Sequence, residues 1–271
     1  MRSTAITHKR YADLIKEGRG QGRGRYYIPW LYAARVTSMG KASEIRGRIT
    51  GRDHQLLSDI ERAAFHTLDR RHDVLDIREG LPLLPVEFTW DLASDLGVRV
   101  PYRTSTKFHV MTTDFVISYE DRQLAVAVKS EEQFVTSSRV GELLAIEQAY
   151  WKEVGVDFEI WTNDVLTSQM LYTLDVLYAH RRLPDEISNE IARASYSRLC
   201  DALYDVRSIP LTQLCLALDA RCKLPPVTHY NVLMHFAYCG TVVLDLQRRF
   251  SEFEPHTLRN DVLMADVRRS A

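Results

Sequence analysis

The chain has 271 residues, 45% of them apolar and 26% charged, with a formal net charge of −1. That suits a soluble globular protein of one large or two ordinary domains with a real core. No run approaches the roughly 18 to 20 apolar residues of a membrane span, and "MRSTAITHKRYADLIKEG" lacks the apolar stretch of a secretory signal, so the expected compartment is cytoplasmic, with no membrane partner.

The charge is uneven. Residues 1–52 hold twelve Lys or Arg against Asp13, Glu17 and Glu44, a local net of 12 − 3 = +9. Only seven of the 35 basic residues are lysine, and arginine's planar fork is the better match to phosphate. Within this leader, "EGRGQGRGR" at 17–25 alternates glycine with arginine. It is too flexible for a helix and too cationic for a core, and reads either as an arm lying along a phosphate backbone or as a solvated linker. Without base-reading motifs, the expected DNA contacts are to phosphate: Arg19, Arg23 and Arg25 on the arm, then Arg46, Arg48 and Arg52.

From Gln55 the pattern tightens. In "QLLSDIERAAFHTLDR", Leu57, Ile60, Ala64, Phe65 and Leu68 share one helical face, with Ser58 at the start. "DVLDIREGLPLLP" reads as a strand running into a proline-closed segment, and "HVMTTDFVIS" and "LAVAVK" as two strands joined by a polar turn at Tyr119–Gln123. A helix around "VGELLAIEQAYWKEVG" and a short strand "DFEIWTND" complete a mixed α/β domain. The remainder has helical periodicity in "QMLYTLDVLYAHRR", "DEISNEIARASYSRLCDALY", "LTQLCLALDARC" and "HYNVLMHFAYCG", then the β-branched "TVVLDL". Helices followed by a strand suggest a helix-turn-helix or winged-helix module. The expected domains are therefore 1–165 and 166–271. Cys200, Cys215, Cys222 and Cys239 have neither C-x-x-C spacing nor clustered histidines, so they read as reduced packing residues.

Two charges sit where strand chemistry disfavours them: Asp114 in "MTTDFVIS" and Lys129 closing "LAVAVK". Each needs a partner, because burying either alone costs several kcal/mol. One reading is a cross-strand ion pair. The other has the carboxylate hold Mg²⁺ while the lysine orients or deprotonates an attacking water and offsets phosphate charge, a loose pattern used by many nucleases. Glu61 is similarly two-sided: "SDIE" is a capping box, yet a first-turn glutamate can also aim at a metal held by Asp114.

Together, "IKEGRGQGRGRYYIPWL", "HQLLSDIERAAF", "VLDIREGLPLLP", "MTTDFVIS", "AVAVKS" and "EQAYWKE" resemble TnsA, the endonuclease subunit of heteromeric cut-and-paste transposases, including those of CRISPR-associated transposons. The likeness runs from Ile15 to Asp164; beyond that, agreement is in length and helical character only. The resemblance implies a restriction-endonuclease-like catalytic domain of the PD-(D/E)xK type that binds Mg²⁺ and cuts the 5′ strand at transposon ends. It also implies an integrase-superfamily partner transposase for the 3′ ends, an AAA+ regulator, and a winged-helix-like C-terminal domain that contacts the regulator. Carried over position by position, the catalytic residues are Glu61, Asp114 and Lys129, with Glu61, Asp114 and the Val128 carbonyl as metal ligands. One position departs: two residues before the lysine, where the superfamily usually has Asp or Glu and glutamine occurs in TnsA relatives, this chain has Ala127.

Glu147 and Glu79 can supply or position ligands, but read more simply as an exposed helix acid and a strand-end acid. Residues 200–245 carry a net of 3 − 4 = −1, so the C-terminal domain is expected to dock protein rather than enter a DNA groove, with "DLQRRFSEF" and "DVRRS" as contact segments. Beside the transposition endonuclease stand a free-standing restriction-type nuclease and a catalytically degenerate DNA-binding or scaffold subunit, the last kept open by Ala127.

Overall fold

In the computed structural model, residues 5–32, 42–132, 137–205, 209–242 and 246 are described. The chain divides into two units, Met1–Thr167 and Ser168–Ala271.

The first unit is mixed α/β. Its elements are β1 (Ile6–Thr7), α1 (His8–Lys16), β2 (Ser43–Arg46), β3 (Asp53–Leu56), α2 (Asp59–Asp69), β4 (Asp76–Pro82), α3 (Val86–Asp95), β5 (Lys107–Phe108), β6 (Thr112–Ser118), β7 (Gln123–Val128), α4 (Ser138–Val154) and β8 (Asp157–Trp161). A four-stranded sheet of order β4-β6-β7-β8 is its centre, with β1-β5 and β2-β3 as separate antiparallel pairs. β4, β6 and β7 run antiparallel as a meander, and β8 joins parallel to β7. That parallel step requires a crossover, which α4 supplies. Gly155 then ends α4 in the left-handed conformation at φ 75°, which glycine takes without a Cβ penalty.

β7 is the inner strand that "LAVAV" implies: Leu124 to Val128 are all buried. Along a strand side chains alternate between faces, so Ala125, Ala127 and Lys129 share one side. On that side Ala125 and Val116 pack with Ile146, Tyr150 and Trp151 of α4. Phe115 pairs with Val126, and continuing that register sets Asp114 opposite Ala127. The glycine-arginine stretch is a correction to the expected arm. It folds into a tight loop closed by Gly20 N–H donating to Ile28 O at 2.7 Å and Ile28 N–H to Gln21 O at 3.1 Å. Gly20, at φ +71°, lies so close to Pro82 that a Cβ there would sit 2.4 Å from the ring. The loop therefore lies against β4, and Gly24 N–H donates to Asp76 Oδ1 at 3.1 Å.

The second unit holds four helices among the described residues: α5 (Ser168–Ala179), α6 (Asn189–Asp205), α7 (Leu211–Cys222) and α8 (Thr228–Tyr238). Leu177, Leu199, Leu214, Leu218, Val232 and Leu233 form its core. Asp219 Oδ1 ties α7 to α8 by accepting from the His229 backbone N–H at 3.0 Å and contacting the ring Nδ1 at 2.5 Å. No disulfide joins the four cysteines; Cys215 is buried and the others are half-buried. Residues 243–245 of the expected strand "TVVLDL" lie outside the described residues, as do "DVRRS" and all of "DLQRRFSEF" except Leu246. No helix of the described residues is long and apolar enough to cross a membrane.

Candidate active site

Asp114 enters from β6 and Lys129 follows the last residue of β7. Lys129 Nζ donates to Asp114 Oδ2 at 2.5 Å and to the Val128 carbonyl at 2.9 Å, while the Val128 N–H donates to the same Asp114 oxygen at 2.7 Å. The two side chains are about one-fifth exposed, at 20% and 22%. The pair expected across neighbouring strands is thus formed, and it opens to a cavity rather than closing inside the core.

That cavity, about 450 Å³, is also lined by Glu61, Glu147, Ser58 and Ser130. Apolar walls come from Leu57, Met111 and Leu144. Glu61 is held as a capping residue. Its backbone N–H donates to Ser58 Oγ at 3.3 Å, the Ser58 hydroxyl donates to Glu61 Oε1 at 2.8 Å, and the Leu57 N–H donates to Oε2 at 2.8 Å. The helix-start role and the site role therefore coexist: the cap fixes the carboxylate at the cavity wall. Burial, followed by the Asp114 charge, raises the Glu61 carboxyl above the ordinary range.

Glu147 corrects the expectation of an exposed helix acid. It is 4% exposed, and its Oε1 is buried without a hydrogen-bond partner. Burial pushes its carboxyl up to about 7, opposed by Lys129 and reinforced by Asp114. The sequence carries the signal: Leu144, Glu147 and Trp151 recur at i, i+3 and i+7, an acid on the apolar stripe of α4. Burial alone would lower the Lys129 pKa, but Asp114 and then Glu147 outweigh it, so the net direction is upward and the group remains an ammonium at neutral pH.

Among the described residues no three His, Cys, Asp or Glu side chains converge into a ready metal cage. The donor set nevertheless suits a hard divalent cation. It is all oxygen: the carboxylates of Glu61, Asp114 and Glu147, and the Val128 carbonyl, with Lys129 Nζ now lying against two of these groups. Neither Asp114 Oδ1 nor Glu147 Oε1 carries a hydrogen bond from a described residue. The fit is one of chemistry, with the ligands distributed around the cavity.

Glu79 does not join the site. It is a buried hub in which Arg52 reaches both carboxylate oxygens, His54 Nδ1 meets Oε2 at 2.9 Å, and the Gln55 N–H donates to Oε1 at 2.9 Å. Tyr27 closes the arrangement, its hydroxyl donating to the Glu79 carbonyl at 2.9 Å. Although burial opposes ionisation, His54 and Arg52 hold the Glu79 carboxyl down at about 2.

This removes two arginines from the expected phosphate contacts. Arg52 is 8% exposed and committed to Glu79 and the Ile77 carbonyl. Arg19, also 8% exposed, bonds Glu17 and stacks 4.4 Å from the Tyr32 ring centre. Arg48 is exposed but tied through Nε and Nη2 to the Asp69 and Arg71 carbonyls, and Arg46 makes a 3.4 Å contact with Asp53. Arg23 and Arg25 are exposed and form no ion pair among the described residues.

A family model described as the TnsA-like endonuclease N terminal matches residues 71–163, which include Asp114, Lys129 and Glu147. Transposon Tn7 transposition protein TnsA of Escherichia coli is 34% identical over 220 residues, covering 80% of this chain and 78% of that protein.

Proposed function

Because this chain belongs to the TnsA family, we propose that it is the endonuclease of a DNA transposition complex, a Mg²⁺-dependent enzyme that cuts the 5′ strand at transposon ends. The observation that carries the reading is the cluster at the ends of β6 and β7, where Asp114, Lys129 and the Val128 carbonyl face one cavity with Glu61. We read the first unit as restriction-endonuclease-like and the second as winged-helix-like. The mixed sheet with Asp114 and Lys129 on adjacent strands supports the first, and the helical core of the second unit supports the other.

Glu61, Asp114 and the Val128 carbonyl would hold the metal, which when bound supplies Lewis-acid activation of water and neutralises charge on the scissile phosphate. The protein's own groups do the rest. Lys129, kept as an ammonium, donates hydrogen bonds; its work is to hold a phosphate oxygen or orient water, and it is not a base at neutral pH. Val128 N–H fixes one Asp114 oxygen and leaves the other free to face the cavity. The Ser58 cap holds Glu61 rigidly, as catalytic positioning demands.

Transposon-end DNA, a partner transposase of the integrase superfamily and an AAA+ regulator complete the proposed assembly. The test is cleavage of labelled transposon-end DNA by the chain with and without its partner transposase, in Mg²⁺ and in EDTA. Cleavage that requires both partner and Mg²⁺ supports the reading. Robust cleavage by the chain alone at short sequence motifs would favour a free-standing nuclease, and DNA association without any cleavage a scaffold subunit.

For DNA contact, Arg23 and Arg25 carry the expectation. Replacing both with alanine removes two phosphate contacts, so the slope of log K against log salt falls in magnitude by about 2, as titration by fluorescence anisotropy would read. An unchanged slope would remove the loop from the interface.

A further inference from the structure

Four acids line the cavity, and with Asp59 paired to Arg62 at 3.0 Å the remaining three, Glu61, Asp114 and Glu147, outnumber its one facing cation, Lys129. With all three ionised the set carries a formal −2, the charge a divalent cation balances. Acidic crowding alone would not define a ligand set, but Glu147 adds a separate observation. Its Oε1 is buried, accepts no hydrogen bond among the described residues and belongs to a residue on the cavity wall, although Thr113 and the Lys129 charge act on the carboxyl as a whole. Of the other buried acids, Asp76 Oδ2 and Asp219 Oδ2 also lack a hydrogen bond among the described residues, but neither residue lines this cavity. Asp69 accepts the Arg48 and Ile49 N–H groups on its two oxygens, and Glu79 has donors on both of its own. A carboxylate oxygen removed from water without a donor or cation is costly, so its retention at this cavity points to a ligand.

The strand beneath explains why the acid comes from a helix. Ala127 is wholly buried on the face shared by Ala125 and Lys129, and α4 covers that face through Ile146, Tyr150 and Trp151. A methyl at 127 offers no oxygen, but it leaves room for α4 to bring a carboxylate over the strand end.

We propose that Glu147 on α4 supplies the ligand oxygen that Ala127 on β7 cannot, so that the site holds a divalent cation such as Mg²⁺ with Asp114 from a strand and Glu147 from the covering helix beside Glu61. The assignment rests on the metal-dependent nuclease reading and adds to it which residue completes the donor set. Glu147→Gln keeps the size and removes the charge. In Ala127→Glu/Glu147→Gln the carboxylate is moved back to the strand.

Mg²⁺ binding to the full chain without DNA is the readout, by isothermal titration calorimetry, with circular dichroism verifying the fold of each variant. The expected result is at least about tenfold weaker binding for Glu147→Gln, a loss of the size seen when a metal site's supporting groups are removed, and recovery to near wild type in the double variant. Ala127→Asp takes the place of Ala127→Glu if the longer side chain prevents folding. Should both double variants fail to fold, the Glu147→Gln titration decides. Wild-type affinity in Glu147→Gln overturns the proposal, as does a folded double variant that recovers nothing. Asp114→Asn separates the two levels. If it loses Mg²⁺ while Glu147→Gln does not, the nuclease reading stands and Glu147 is not a ligand; if the wild-type chain itself binds no Mg²⁺, both readings fall.

Discussion

Lys129→Ala is expected to lower 5′-end cleavage by about 10³-fold or more while leaving the protein folded and DNA association close to wild type. A preorganised donor aimed at developing charge is worth this much, and Lys129 is the one ammonium facing the cavity among the described residues. The competing explanation is that Lys129 only neutralises Asp114. The pair is close enough for that, at 2.5 Å, but it is one-fifth exposed and the Val128 N–H still supports Asp114 when the lysine is gone. The stability cost should therefore fall below the 3–5 kcal/mol of breaking a fully buried pair, at about 1–3 kcal/mol. The double variant Asp114→Asn/Lys129→Met separates the explanations, because replacing both members of an ion pair with neutral groups of similar size is often nearly neutral for stability. It should unfold near the wild-type midpoint and still not cut. A double variant that regains cleavage would assign the pair a purely structural role.

The second large effect lies away from the cavity. Glu79→Ala should destabilise the first unit by about 3–5 kcal/mol in urea unfolding, because it leaves the Arg52 guanidinium, the His54 ring and the Gln55 N–H buried together without their acceptor. The pH dependence follows from the Glu79 carboxyl, held at about 2 in the folded chain against an ordinary 4.5. Below 4.5 the unfolded chain takes up a proton that the folded chain still refuses, so stability falls with acid. The contribution is complete above 4.5 and lost as pH drops through about 2. Glu79→Gln should thus trail wild type most at neutral pH and converge with it in acid; a gap that does not change between pH 6 and 2 would contradict the charged network.

The contrast between these two sites marks what the sequence could reveal. Asp114 and Lys129 were legible because each violates strand chemistry in an otherwise apolar run, and Ser58 because N-cap signals are local. The helix α2 and strands β6 and β7 follow from periodicity alone. Sequence alone points Arg52 toward DNA because its acceptor, Glu79, lies 27 residues away and only tertiary structure brings them together. The composition of the glycine-arginine loop suggests the freedom of an arm or linker, whereas Gly20 and Gly22 adopt positive φ to make a fixed turn against Pro82 and the Tyr26 carbonyl. α3 was hidden behind a proline-rich lead, although Val86, Thr89, Leu92 and Ala93, its buried positions, have helical spacing. Glu147 shows the converse error: an acid in a helix is ordinarily solvated, and only its register with Leu144 and Trp151 argues otherwise.

The central claim is that the chain's own carboxylate at 114 makes the 5′-strand cut. Its most direct test is strand-resolved cleavage of transposon-end DNA in Mg²⁺ with the partner transposase, comparing wild type with Asp114→Asn. The expected result is loss of the 5′ cut with the 3′ cut preserved; a 5′ cut that survives the substitution would contradict the account and leave Asp114 as no more than the counter-charge of Lys129.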